Sequence, residues 1–316
     1  LTAHLGQRAR SKISCLAGKD KPFFLDLFMA TAHPPFGSEY PYYSRYSDPE
    51  YSGESKFAMA RLVDPFDIIR SQREPKEAFD LDQINDLYDA CVRRFDDEVR
   101  DIVHHLRACG IENNTILVIY SDHGMELFEH DTWGQGNSAV GEASPRVPLV
   151  IVDPRNGYSG LDSRVVRTVD LFPTICDLCG IDQPSAMDGV SLKPYLDDEQ
   201  LDYDLAAYSE TGDWLVKPPG QQSKHQAYPG VLDLLDVSED SGEITIKKDC
   251  LDLVNQARDR MIRRGKWKLV YFPLVNGVEY ALYDLEQDPG CCHDVANLHL
   301  DVVSDLKREL LDWIGQ

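Results

Sequence analysis

From Leu81 onward, apolar residues recur at spacings of three and four: Ile84, Leu87, Tyr88, Cys91, Phe95, Val99, Ile102, Val103 and Leu106. The residues between them are mostly charged. That pattern predicts a long helix over 81–108 with one buried stripe and a solvated opposite face. Gly110 is placed to cap its C-terminus. After the turn Ile111-Glu112-Asn113-Asn114 comes TILVIY, 115 to 120, a run rich in β-branched residues that reads as a buried strand. Upstream, PFFLDLFMA, 22 to 30, reads as another. Strand, long helix, strand is the βαβ unit, which requires parallel strands with helices on the sheet faces. VPLVIV, 147 to 152, and a helix from Thr168 to Leu178 continue the alternation, and Thr2 to Cys15 reads as a helix leading into the first strand.

In such sheets the ligand sits beyond the carboxyl ends of the strands. Two strand ends carry unusual polar residues. The first runs into Thr31-Ala32-His33, followed by the Pro/Tyr-rich loop PPFGSEYPYYSRY, and the second into Ser121-Asp122-His123-Gly124. A carboxylate and an imidazole side by side cannot both be buried without partners. At a strand end they are placed to face a metal or an oxyanion, and Gly124 lets the chain turn and approach it. Glu126, Glu129, His130 and Asp131 follow within eight residues of His123. His33 is the second candidate, as a donor to a bound oxyanion or leaving group. Arg146 reads as an anchor or rim charge.

Other chemistries lack their signatures. There is no GxSxG elbow, HExxH pair or phosphate loop ending in Gly-Lys-Ser/Thr. Gly134-Gln135-Gly136-Asn137-Ser138 lacks the strand-before, helix-after setting of a dinucleotide loop. Eight cysteines include one CxxC, Cys176 and Cys179, with no second ligand pair nearby, so it reads as a helix end rather than a zinc site. The formal charge of −22 disfavours nucleic acid and anionic membranes at long range, and no basic patch is interleaved with aromatics. No run approaches the ~18 apolar residues of a membrane span.

The character of the chain changes after Leu196. Residues 197–252 are acidic and read as loops. GKWKLVYFPL and GVEYALYDL, between 265 and 285, read as two antiparallel strands about an Asn276-Gly277 turn, and a last helix is predicted over 301–314. The expected division is 1–196, an α/β portion, and 197–316, a small α+β subdomain.

Taken in order, these stretches resemble the sulfatase family of the alkaline phosphatase superfamily. KPFFLDLFMATAHPPF is similar to the family strand that ends in a substrate-binding His. YDACVRRFDDEVRDIVHHLRACGIENNTILVIYSDHG is similar to its long helix, strand and metal pair. SPRVPLVIVDP, TVDLFPTICDLCGI, MDGVSLKPYL and KWKLVYFPL…YALYDLEQDP follow in family order. The resemblance implies an alkaline-phosphatase-like α/β fold, a mostly parallel sheet sandwiched by helices, with the small C-terminal subdomain.

It further implies that Asp122 and His123 ligate a divalent ion, Ca²⁺ by family habit. Mn²⁺ or a similar ion is the alternative, because imidazole is softer than calcium prefers. His33 would serve the ester or its leaving oxygen. His130 and Gln135 would bind substrate, with Gln135 standing where the family commonly has Lys; an amide supplies hydrogen bonds but no charge. The implied reaction is sulfuric ester hydrolysis by a formylglycine made from Cys or Ser in a Cys/Ser-x-Pro/Ala-x-Arg motif. No such motif occurs in this chain; Cys15-Leu16-Ala17-Gly18-Lys19 ends in Lys and sits too late. The nucleophile and two metal aspartates are therefore expected upstream, and the isolated chain is expected to be inactive and prone to aggregate. The partner is a sulfated small molecule or sulfated glycan, chosen by the loops 34–79 and 212–250. A periplasmic, lysosomal or extracellular location fits the family. Two alternatives are a phosphodiester or phosphonate monoester hydrolase of the same superfamily and a non-catalytic metal- or glycan-binding relative.

Overall fold

The computed structural model describes residues 2–58, 74–136, 138–157, 159–197, 200–212, 224–227 and 231–315. The elements used below are helices α1 (Thr2–Ala17), α2 (Leu81–Ala108), α3 (Leu171–Cys179) and α4 (Leu300–Ile314). The strands are β1 (Leu117–Tyr120), β2 (Glu126–Leu127), β3 (Trp133–Gly134), β4 (Leu149–Val152), β5 (Ala206–Glu210), β6 (Leu235–Val237) and β7 (Ile244–Ile246). Three more complete the set: β8 (Arg260–Arg264), β9 (Trp267–Leu274) and β10 (Gly277–Asp284). The chain forms two compact units, Leu1–Ile119 with Val150–Arg155, and Tyr120–Leu149 with Asn156–Gln316.

In the first unit, α2 has the predicted limits. Asp80 caps it by accepting from the Gln83 amide, and at its other end Gly110 takes a left-handed conformation (φ 70°). Its apolar stripe packs on α1: Ile102 and Leu106 bury Ile13, and Leu25, Leu27 and Met29 close the cluster. The polar part of the contact is an ion network. Arg10 and Arg94 both bind Glu98, which is 1% exposed, and Arg94 also binds Glu39. A carboxylate so buried is tolerated only because two guanidiniums face it.

The expected strand over 22–30 is corrected. The segment is extended but joins no ladder among the described residues. Its alternate residues Leu25, Leu27 and Met29 face the helices, while Phe24 and Phe28 stand 77% and 72% exposed. The β1–β4 pair forms a separate two-stranded sheet, in which Val150 and Val152 of β4 are also exposed.

The second unit is built on a four-stranded sheet in the order β10-β9-β8-β5, antiparallel throughout. The two-residue connection Val275-Asn276 places Gly277 opposite Leu274, with Gly277 at φ 129°. Both faces of this sheet are covered, and its strand β9, WKLVYFPL, reads as a nearly continuous apolar run instead of an alternating one. Leu269, Tyr271, Ile262 and Leu282 pack against Leu306 and Leu310 of α4. Val270, Met261, Ala281 and Tyr283 on the other face pack against Ala139 and Cys291. The second contact fixes the loop that follows His130 and Gln135, because Ala139 belongs to it. β5 and β8 were not foreseen: β5 lies in the stretch read as loops, and β8 follows it.

Candidate functional site

Asp122 and His123 lie just past β1, at 61% and 41% side-chain exposure. The loop holding them is fixed by its own backbone. Ser121 Oγ donates to the His123 carbonyl (2.7 Å), and the His123 amide donates to Asp122 Oδ1 (3.0 Å). The Gly124 amide donates to the Ser144 carbonyl at 2.8 Å. A Cβ on Gly124 would stand 1.8 Å from the Ala143 carbonyl oxygen, so no side chain fits there. The glycine expected to permit close approach does so, and what approaches is the chain at 143–144.

His123 Nδ1 is 2.8 Å from the Gly124 carbonyl. A carbonyl only accepts, so Nδ1 carries a proton, and in the neutral ring the lone pair is on Nε2. That arrangement is the one that prepares an imidazole as a metal ligand. Nε2 lies 3.6 Å from Asp122 Oδ2, too far for a hydrogen bond between them. At that spacing both groups can reach a single divalent ion placed between them. The pair therefore fits two adjacent positions on one divalent ion. No group of three or more His, Cys, Asp or Glu able to hold a metal occurs among the described residues.

The hairpin β2–β3 carries the next candidates. Glu126 pairs with Gly134 and Leu127 with Trp133, and the Phe128 amide closes the loop on the Thr132 carbonyl (2.9 Å). His130 sits at its tip, half-buried. A Cβ on Gly141 would lie 2.5 Å from the His130 ring, so the imidazole rests directly on that glycine. Burial, and after it the nearby Lys268 ammonium, pushes the His130 imidazole below its ordinary value. Gln135 follows β3 immediately and is half-buried. Asn137 lies outside the described residues, as do 59–73, 213–223 and 228–230 of the two loops expected to select substrate.

Glu126 does not join the exposed carboxylates as its place in the sequence suggested. It is fully buried, and neither of its oxygens reaches a partner in hydrogen-bonding geometry, although Ser144 lies beside it. Burial first, then the Glu129 charge, pushes its carboxyl up to about 7. Glu129 itself is spent on the Leu127 amide. Sequence reasoning also missed Lys268 of β9. It is fully buried and donates to the Gly141 carbonyl and to Glu142, which Arg263 holds from the other side (2.9 Å). These contacts tie the floor under His130 to the four-stranded sheet.

His33 belongs to the first unit. It is exposed, and its Nδ1 is 2.7 Å from the Pro34 carbonyl, so Nε2 is again the free nitrogen. Arg146 is exposed. Cys176 is buried, Cys179 is exposed, and all eight cysteines are free thiols.

Comparison with known proteins adds the family context. The family model described as Sulfatase matches residues 1–181, more than half of the chain. A curated relative, the multifunctional alkaline phosphatase superfamily protein PehA of Trinickia caryophylli, is 26% identical over 95% of this chain and 57% of its own length. Among solved structures, the phosphonate monoester hydrolase of Agrobacterium radiobacter superposes with a TM-score of 0.67 at 24% identity, covering 98% of this chain and 60% of that one. The protein BT4656, solved with its substrate D-glucosamine-2-N,6-O-disulfate, superposes with a TM-score of 0.55 at 24% identity, over 73% of this chain and 40% of that one. The chain thus has the alkaline-phosphatase-like α/β fold and spans little more than half the length of PehA.

Proposed function

Because the chain belongs to the sulfatase family, we propose that it supplies the metal-holding and leaving-group side of a sulfuric ester hydrolase. The observation that carries this is the commitment of His123 Nδ1 to the Gly124 carbonyl, with Nε2 left 3.6 Å from Asp122 Oδ2. Asp122 and His123 would hold a divalent ion, Ca²⁺ by family habit, which when bound supplies Lewis-acid polarisation of the ester oxygens. His33, with Nδ1–H held by the Pro34 carbonyl, would act as the imidazolium and give its Nε2 proton to the departing alcohol oxygen, leaving the neutral ring. His130, kept neutral by burial, and Gln135 would hydrogen-bond the ester oxygens. The motif that yields the nucleophile does not occur in these 316 residues, so the proposal places formylglycine on sequence beyond them, and residues 1–196 and 197–316 are its catalytic portion and appended subdomain.

The substrate proposed is a sulfated sugar, supported by the sulfated glucosamine in the structural relative BT4656. A periplasmic, lysosomal or extracellular location is proposed with it, and no described helix is long and apolar enough to cross a membrane. The rival is a phosphorus ester hydrolase. It draws support from the imidazole ligand, which suits Mn²⁺ better than Ca²⁺, and from the phosphonate hydrolase fold.

The test is turnover by the protein as its native source produces it. Asp122→Ala and His123→Ala should each lower kcat by at least ~100-fold, a loss larger than supporting residues around a metal usually cause. His33→Ala should cost about 10²-fold or more on alkyl sulfates and much less on esters of acidic phenols, whose leaving oxygen needs no proton. Undiminished turnover in Asp122→Ala would remove the basis of the proposal.

A further inference from the structure

The segment after His33 builds a second feature that the reaction above does not use. Tyr40, Tyr43 and Tyr46 stand exposed at 75%, 39% and 40%. Tyr40 and Tyr43 meet edge to face, with ring centroids 6.3 Å apart, and so form an aromatic corner. Arg45, on the same short helical turn Tyr43–Tyr46, is exposed too. Its guanidinium lies over the Tyr42 ring at 5.6 Å, and Arg94 lies over the same ring at 5.3 Å. Arg45 makes no ion pair among the described residues, although the chain carries 54 acidic residues against 32 basic ones.

This corner is held in place from beneath. Phe36 is buried edge-on against Tyr88 at 5.4 Å, Glu39 pairs with Arg94, and the Tyr42 hydroxyl donates to Asp97 (3.0 Å). Tyr88, Arg94 and Asp97 all belong to α2. Ser47 Oγ donates to the Tyr43 carbonyl at 2.8 Å and closes the turn. The three rings and the cation are thus presented by a rigid helix, and little ordering remains to be done on binding.

We propose that Tyr40, Tyr43 and Tyr46 with Arg45 form a platform for an acidic saccharide unit remote from the reacting sulfate. This rests on the proposed function for its link to catalysis, but not for binding itself. The chemistry is direct. A flat tyrosine ring takes up the apolar face of a sugar ring while its hydroxyl stays hydrated. An unpaired guanidinium takes a sulfate or carboxylate through paired hydrogen bonds. In a protein of net charge −22, a cation left uncompensated beside three exposed rings is complementary to an anionic ligand and to little else. Tyr40 follows His33 by seven residues, which caps their separation at about 25 Å. One oligosaccharide can therefore serve both.

The experiment is isothermal titration calorimetry of the protein as its native source produces it with three probes: a heparin-derived tetrasaccharide, its desulfated counterpart that keeps the carboxylates, and neutral cellotetraose. Acidic tetrasaccharides should bind and cellotetraose at least ~10-fold more weakly. Arg45→Gln should weaken the acidic probes about tenfold and leave cellotetraose unchanged. Tyr40→Ala with Tyr43→Ala should weaken all three, with an unchanged melting temperature because both rings are on the surface. The sulfated and desulfated probes separate sulfate from carboxylate as the recognised anion. Absence of binding by the unsubstituted chain, or binding indifferent to these substitutions, overturns the platform. Turnover of a small aryl sulfate by the native-source protein reports the catalytic reading separately. Loss of one result with survival of the other tells the two apart.

Discussion

Glu126 concentrates the residue-scale physics of the site. An ionised carboxylate with no partner and no water access is expensive, so the folded state favours the proton. Its folded value of about 7 lies above the ordinary 4.5. For a raised acid, the stability is fully present below about pH 4.5 and is lost as pH rises through about 7. A difference of that size corresponds to roughly 3 kcal/mol. Glu126→Gln, which keeps the shape and removes the titration, should therefore unfold at higher denaturant than wild type at pH 8 and at the same denaturant near pH 4.5. Parallel curves at both pH values would show that Glu126 is solvated. Gly124 makes a simpler prediction. With the Ala143 oxygen 1.8 Å from where a Cβ would stand, Gly124→Ala must displace backbone, and a loss of about 3 kcal/mol or more is expected in chemical unfolding. The place of Asp122 and His123 just past a strand was legible in the sequence, because TILVIY marks the strand before them. Glu126 and Lys268 were not, since nothing in EL or WKLVYFPL distinguishes a buried charge from an exposed one.

At the scale of elements, legibility followed length. α2 was readable to its ends because 28 residues of periodic pattern and a terminal Gly110 agree. α4, 15 residues long, was readable from its apolar period and ends at Gly315. β5 and β8 escaped, because AAYSE and RMIRR show no alternation and gain their place only from pairing with β9 and each other. The segment 22–30 was read as a strand from its apolar run, but it joins no ladder among the described residues: Leu25, Leu27 and Met29 pack inward and the alternate positions face out. Phe24 and Phe28 are consequently exposed beside unpaired backbone, a combination that invites association. Phe24→Ser with Phe28→Ser should lower light scattering of the chain at high concentration without lowering its melting temperature. A drop in melting temperature would mean that those rings are packed.

For the molecule as a whole, the division of labour is plain. The four-stranded sheet is buried on both faces, and through Ala139, Lys268 and Arg263 it anchors the loop that presents His130 and Gln135. α2 anchors the Tyr-rich loop that follows His33 through Tyr88, Arg94 and Asp97. The family's order of stretches was visible in the sequence from end to end. What was not visible is how the chain clusters, since residues 120–149 join the C-terminal unit rather than the helices that precede them. The central claim is that this site serves sulfate esters. It is tested most directly by steady-state hydrolysis of matched aryl sulfate and aryl phosphonate esters by the native-source protein, with Asp122→Ala as control. The account predicts a higher kcat/KM for the sulfate and loss of both activities in the variant. A higher kcat/KM for the phosphonate, or sulfate turnover that survives Asp122→Ala, would contradict it.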